Sequence, residues 1–230
     1  MSEPSAKDLY QLDFVKVRPE HFVTFLITVE KFQDVERKHG GDPVIDFFVD
    51  AGGDGVQTVF VSRFASIADR DKLTAKLLKD EEYLKLVGEL GKCIRDNKSF
   101  LCSCDPVIGL RKASNPKCKM IMECFNIKGD PTQSGAMVKE MLAWYKQIFG
   151  DVGVEPVVFF HPFFFSEPTA ILFLEIPDEF DTPLQKFAGA MADPKNWPKL
   201  NEFHNYMSRT SVQLLRRLSQ VRETVKGKAH

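Results

Sequence analysis

Two imidazoles and two carboxylates set among apolar residues are the groups in this chain best suited to chemistry. His204 follows Trp197 by seven positions, with Leu200 and Met207 at compatible spacing, so one side of a helix would carry the indole and the imidazole together. Imidazole titrates near neutral pH and coordinates metals, which makes His204 a candidate general base or haem ligand. A histidine that ends an amphipathic face and reaches water would leave the same pattern. His161 lies in the run Phe159-Phe160-His161-Pro162-Phe163 and is a second candidate base, although Pro162 equally suits a plain strand end. Asp46 and Asp50 flank Phe47, Phe48 and Val49 beside a Gly-rich turn, where solvated carboxylates also occur. Phe159, Phe163, Trp197 and Tyr83 are candidate walls for a bound ligand.

The cysteines are less promising. Cys102-Ser103-Cys104 with Cys118 and Cys124 lacks the C-x2-C pairs of structural zinc sites, so no metal site is expected. With Cys93 the thiols number five and sit in apolar segments, which suits reduced core residues better than a disulfide framework.

A comparison of the chain with itself singles out the histidines and aspartates. Asp42-Pro43-Val44-Ile45 returns 113 positions later as Glu155-Pro156-Val157-Val158, and the same offset aligns Val59-Phe60-Val61 with Leu172-Phe173-Leu174. Tyr83-Leu84-Lys85-Leu86 matches Trp197-Pro198-Lys199-Leu200, and Val15-Lys16-Val17 matches Phe125-Asn126-Ile127. The chain reads as two diverged copies of one βαββαβ unit, residues 1–112 and 113–230, with a Pro- and Gly-bearing seam from Asp105 to Lys117. In this alignment His204 replaces Leu90 and His161 replaces Phe48, while Asp46 and Asp50 stand where the second copy has Phe159 and Phe163. The second copy is therefore expected to hold an aromatic, histidine-bearing pocket, and the first an acidic one or none.

The positioning elements follow from periodicity. Leu12 to Val17 reads as a strand, and Pro19 opens a helix in which Phe22, Phe25, Leu26, Val29, Phe32 and Val35 share a face, closed by His39-Gly40. Strands at Val44 to Val49 and Val56 to Phe64 flank the hairpin signal Asp50 to Gly55. Ser66, with Asp69 three residues on, caps a helical region that turns Leu73, Leu77, Tyr83, Leu86, Val87 and Leu90 inward, and Ser99 to Cys104 is a last strand. The second copy repeats the order: a strand at Cys118 to Ile127, a helix at Ser134 to Phe149 and strands at Val157 to Phe165 and Ala170 to Ile176. A helix opened by Asp181 and Pro183 and a short strand at Val212 to Leu215 complete it, and the tail after Ser219 is polar. Trp144 and Tyr145 read as core. Both faces of the central strands are apolar, so the second face must be covered, and the other copy's sheet is the natural cover.

The strand–Pro–helix start, the Gly-Gly hairpin before Val56 and the segment Asp193-Pro194-Lys195-Asn196-Trp197 resemble the dimeric α+β barrel proteins of ferredoxin-like fold. These include antibiotic-biosynthesis monooxygenases, haem-degrading monooxygenases, stress-responsive proteins and NIPSNAP-type proteins. The resemblance implies an α+β fold in which two ferredoxin-like repeats form a dimeric α+β barrel within one chain. Similarity to the haem-degrading members implies an Asn, Trp and His set, for which Asn126, Trp197 and His204 are the matching types. The spacing from Trp to His is shorter than in that subgroup, and Lys16 replaces Asn126 in the first copy.

Three functions are compatible with this reading. The first is a cofactor-independent monooxygenase-like enzyme acting on an apolar or aromatic compound, with His204 or His161 as base and Asn126 or Trp197 orienting the anion. The second is a non-catalytic ligand-binding or stress-responsive protein, and the third is a haem-binding protein. A small-molecule ligand is the expected partner. Lys plus Arg (31) nearly balances Asp plus Glu (32), which leaves no basic field for nucleic acid or an anionic membrane. With no long apolar run and no signal-like N-terminus, a cytoplasmic protein is expected. Whether the internal pseudo-dimer pairs again as a homodimer is left open.

Overall fold

A proline early in a strand shapes both halves of the molecule in the same way. In the computed structural model, β2 (Asp42–Val49) and β6 (Glu155–Pro162) each carry a register shift against their neighbour, between Pro43 and Ile45 and between Pro156 and Val158. Proline has no N–H to give to the ladder, so the strand bulges beside it. The two shifts fall at positions that the 113-residue offset superimposes. The structure describes residues 8–49, 56–108, 119–149, 155–163, 168–176, 185, 189–190 and 192–217.

These residues divide into two units: 8–102 with 215–217, and 103–214. In the first unit β1 (Leu9–Val17), β3 (Val56–Phe64), β2 and β4 (Ile94–Cys104) make an antiparallel sheet in the order β4-β1-β3-β2. Helices α1 (Phe22–Lys38), α2 (Ile67–Leu77) and α3 (Glu81–Cys93) connect the strands. Val15 and Val17 pack against Phe25, Leu26 and Val29 of α1 and Leu90 of α3. The expected caps are present: Gly40, at φ 97°, closes α1, and Ser66 Oγ accepts from Asp69 N–H at the start of α2.

The region expected as one helical segment from Ser66 is two helices. Asp80 interrupts it by capping α3 through the Tyr83 N–H, and its carboxylate meets His39 Nε2 at 2.7 Å. Val87, expected inward, is exposed, because it lies about 100° around α3 from Leu86, at the edge of the buried face. β4 is also longer than expected, starting at Ile94 directly after α3.

The second unit repeats the order as β8-β5-β7-β6, with β5 (Lys119–Ile127), β7 (Ala170–Ile176) and β8 (Met207–Arg217), the last continuing beyond residue 214. Its helices are α4 (Ser134–Phe149) and α5 (Trp197–Tyr206), each preceded by a one-turn 3-10 helix. Phe125, Phe159, Leu172 and Leu174 pack against Val138, Met141 and Phe203 of the helices. The opposite face of this sheet is buried as well, through Met122, Phe160, Ile171 and Phe173. Each buried Phe contributes about 1.5–3 kcal/mol, so both faces stabilise the unit.

β8 is far longer than the four residues expected at Val212 to Leu215, since its polar Ser208, Thr210 and Gln213 mask an extended segment. Cys93, Cys102, Cys104 and Cys124 are buried and reduced, and burial pushes the Cys102 thiol well above its ordinary range. The hairpin at Asp50 to Gly55, the helix expected from Asp181, Cys118 and the tail after Ser219 lie outside the described residues. No helix among the described residues is long and apolar enough to cross a membrane.

Candidate functional site

Between α4, α5 and the sheet of the second unit lies a cavity of about 380 Å³. Its placement is local in origin. Asp193 caps the turn Pro194–Asn196 by accepting from Lys195 N–H, and Asn196 Nδ2 donates to Ala190 O, so Trp197 begins α5 at a fixed angle. Trp197, Leu200 and His204 then fall on one helix face, as the seven-residue spacing requires, and β8 follows α5 without a loop. Trp197 is 52 % exposed and His204 is exposed, so both stand at the mouth. The His204 carbonyl accepts from Lys128 Nζ at 3.2 Å. Deeper walls come from Phe125, Met141, Tyr145 and Met207.

The cavity has one charged wall, Arg209 on β8. Its Nη2 lies 3.1 Å from Glu123 Oε1 and donates to Tyr145 Oη at 3.3 Å, and its guanidinium lies 5.9 Å from the centre of the Phe125 ring. Glu123 shares a face of β5 with Phe125, two residues away. Burial pushes the Glu123 carboxyl above the usual carboxylate range, against the pull of Arg209. Burial also raises the Tyr145 hydroxyl. Neither Arg209 nor Glu123 is among the residues expected at a site. The available signal was a carboxylate at corresponding strand positions in both copies, Asp13 and Glu123.

A second polar cluster sits on the same unit. The chain leaving β4 is tied to β6 by Asp105 N–H donating to Phe159 O at 2.7 Å. Asp105 Oδ1 accepts from Val107 N–H at 2.8 Å, and Oδ2 lies 2.9 Å from His161 Nε2, itself 3.1 Å from Ser134 Oγ at the start of α4. Burial would raise the Asp105 carboxyl, but the hydrogen bonds from His161 and the backbone outweigh it and hold it below its ordinary range. One imidazole nitrogen serves both partners, so this is a structural latch and lacks the relay of a nucleophilic triad.

Of the expected site residues, the cavity brings together Trp197 and His204. His161 belongs to the latch, with its ring edge-on to Phe159 at 4.9 Å, and Phe159 is fully buried in the core. Asn126 alternates with Phe125 and so lies on the sheet face away from the cavity, where its Oδ1 is buried without a hydrogen bond. Phe163 is exposed just after β6. Tyr83 is in the first unit, stacked on Phe32 at 5.0 Å. Asp46 pairs in register with Phe60 on β3, and Asp50 lies outside the described residues. Trp144 packs on Phe203 as core, whereas Tyr145, expected as core, also lines the cavity.

No protein-family model matches the chain, and no curated protein matches it. Solved structures do. A protein provisionally described as a monooxygenase from Lactobacillus acidophilus NCFM superposes with a TM-score of 0.59 at 13 % identity, over 92 % of this chain and 94 % of its own. A similarly described protein from Fusobacterium nucleatum gives 0.58 at 8 % identity, over 92 % of each chain. Chlorite dismutase from Candidatus Nitrospira defluvii, in complex with imidazole, gives 0.56 at 10 % identity over 97 % of this chain and 96 % of its own. At such identities the likeness carries the fold alone. Together with the two β4-β1-β3-β2 sheets, it shows that the chain has the ferredoxin-like α+β fold of the dimeric α+β barrel proteins, with both ferredoxin-like units in one polypeptide.

Proposed function

We propose that the second unit binds a small apolar or aromatic compound and acts on it as a cofactor-independent monooxygenase-like enzyme. The observation that carries this reading is the cavity itself: aromatic and aliphatic walls, the Arg209 cation among them, and an imidazole and an indole from one helix face at the mouth. Apolar pockets with a few convergent polar groups are the usual form of small-molecule sites. His204 is the base, removing a proton from an activated carbon of the substrate, and Trp197 stacks on the resulting anion. Molecular oxygen then takes four electrons in all from the former CH2 carbon, which loses both hydrogens: one oxygen atom ends as its carbonyl, and the other leaves with the two hydrogens as water. The fold shared with proteins described as monooxygenases supports this class of reaction.

Haem is the competing reading. An axial histidine needs a second group to orient its ring. His204 is exposed, and no described side chain hydrogen-bonds its imidazole, so these residues do not fit a haem as they stand.

The test is oxygen uptake with a panel of anthrone- and hydroquinone-type compounds. His204→Ala is expected to lower turnover by about 10²–10⁴-fold, the usual contribution of a positioned base. Turnover unaffected by His204→Ala, or a hemin-dependent Soret shift that the same variant abolishes, would refute the assignment.

A further inference from the structure

Helix α3 carries a second apolar face that stays exposed. Leu84, Val87, Gly88 and Gly91 recur at the i, i+3, i+4, i+7 spacing, so they form one stripe beside the face that Leu86, Leu90 and Cys93 bury. Leu84 is 47 % exposed and Val87 42 %. A Cβ at Gly88 or Gly91 would meet nothing within 4 Å, and neither glycine has a positive φ. Glycine is the poorest helix former after proline, so two of them in mid-helix weaken α3 with no local reason. What they offer is a low surface that another backbone can approach closely.

The charges beside the stripe say which backbone that is. Glu81 at the start of α3 and Lys92 at its end are both exposed and lie on the same flank of the stripe. A parallel copy of the helix would set Glu81 against Glu81. An antiparallel copy sets each Glu81 against the other copy's Lys92, about a two-fold axis near Val87 and Gly88, and it places Leu84 opposite Gly91. Lys85 lies further round the helix and keeps to solvent. The surface is thus complementary to itself, as an isologous interface must be.

We propose that α3 is the contact through which two copies of this chain pair as an antiparallel, two-fold homodimer. The inference is independent of the cavity in the second unit. One helix pair, with two exposed apolar side chains from each copy, is at the low end of interface size, so the dimer is weak, with a Kd of about 10–100 µM. In more dilute solution the chain is monomeric.

Sedimentation velocity of the full chain, from about tenfold below to tenfold above that Kd, is expected to show monomer giving way to dimer. Gly91→Gln improves the helix and fills the stripe, so it should keep the fold, read by circular dichroism, and raise the Kd at least about tenfold. Lys92→Glu should raise it about fivefold, and adding Glu81→Lys, which exchanges the two charges, should restore it. Val87→Cys, close to the axis, should form a disulfide-linked dimer under mild oxidation, whereas Val23→Cys, 52 % exposed on α1 in the parent, should not. A chain that stays monomeric throughout, or pairing undiminished in Gly91→Gln, overturns the proposal. So does a charge-exchanged variant that pairs no better than Lys92→Glu, or crosslinking at Val87→Cys no faster than at Val23→Cys.

Discussion

Gly135, at the start of α4, should be irreplaceable by even the smallest side chain. A Cβ there would lie 1.9 Å from Asp105 Oδ1 and 2.4 Å from its Cγ, far inside van der Waals contact. The carboxylate cannot simply swing aside, because Val107 N–H, Ile108 N–H and His161 hold it. Forcing a methyl into such a site costs about 1–3 kcal/mol, and each hydrogen bond to a charged group given up to relieve it adds about 1.5–3 kcal/mol. Alanine's better helix propensity returns less than about 1 kcal/mol. Gly135→Ala should therefore lose roughly 2–4 kcal/mol in urea denaturation, a drop in Tm of about 5–12 °C for a chain of this size. Gly88→Ala on α3, where a Cβ meets nothing within 4 Å, should instead gain about 0.5–1 kcal/mol. In an Asp105→Ala background the penalty of Gly135→Ala should shrink below about 1 kcal/mol. A single variant melting within a degree of the parent would refute the argument, as would a penalty that persists without the carboxylate.

Two further outcomes follow from the first unit. Burial, and then the neighbouring Asp13 charge, raise the Glu36 carboxyl from 4.5 to about 7. The folded state thus holds this proton more tightly than the unfolded state. The contribution is fully present below pH 4.5 and lost as pH rises through about 7. Glu36→Gln should therefore gain on the parent by about 1–2 kcal/mol between pH 5 and pH 8, a figure discounted for partial solvent access and read by denaturation at both values. A constant difference across that window would exclude it. Ser66→Ala removes the α2 cap and should cost about 1 kcal/mol, with hydrogen exchange rising first in the opening turn of α2.

The residues by themselves determined the local features of this protein. The buried stripe of α1, the Ser66 cap, the left-handed Gly40 and the two Pro-linked strand starts depend on neighbours a few positions away, and such patterns are written in order along a chain. The bulges at Pro43 and Pro156 fall at positions that the 113-residue offset superimposes. The seven-residue interval between Trp197 and His204 was likewise legible, because a single helix sets it. Only the tertiary structure decided which polar strand residues face the cavity. A strand has a period of two, so one position separates Glu123, on the cavity side with Arg209, from Asn126's side of the sheet. Arg209 itself lay in a stretch too polar to read as a strand, and its partners, 86 and 64 positions earlier, meet it only when β5, α4 and β8 come together. His161 was found as a residue but not as a latch, because Asp105 and Ser134 reach it from separate elements. Long-range pairing of buried charges leaves no periodic trace in sequence, and that is where this site resides.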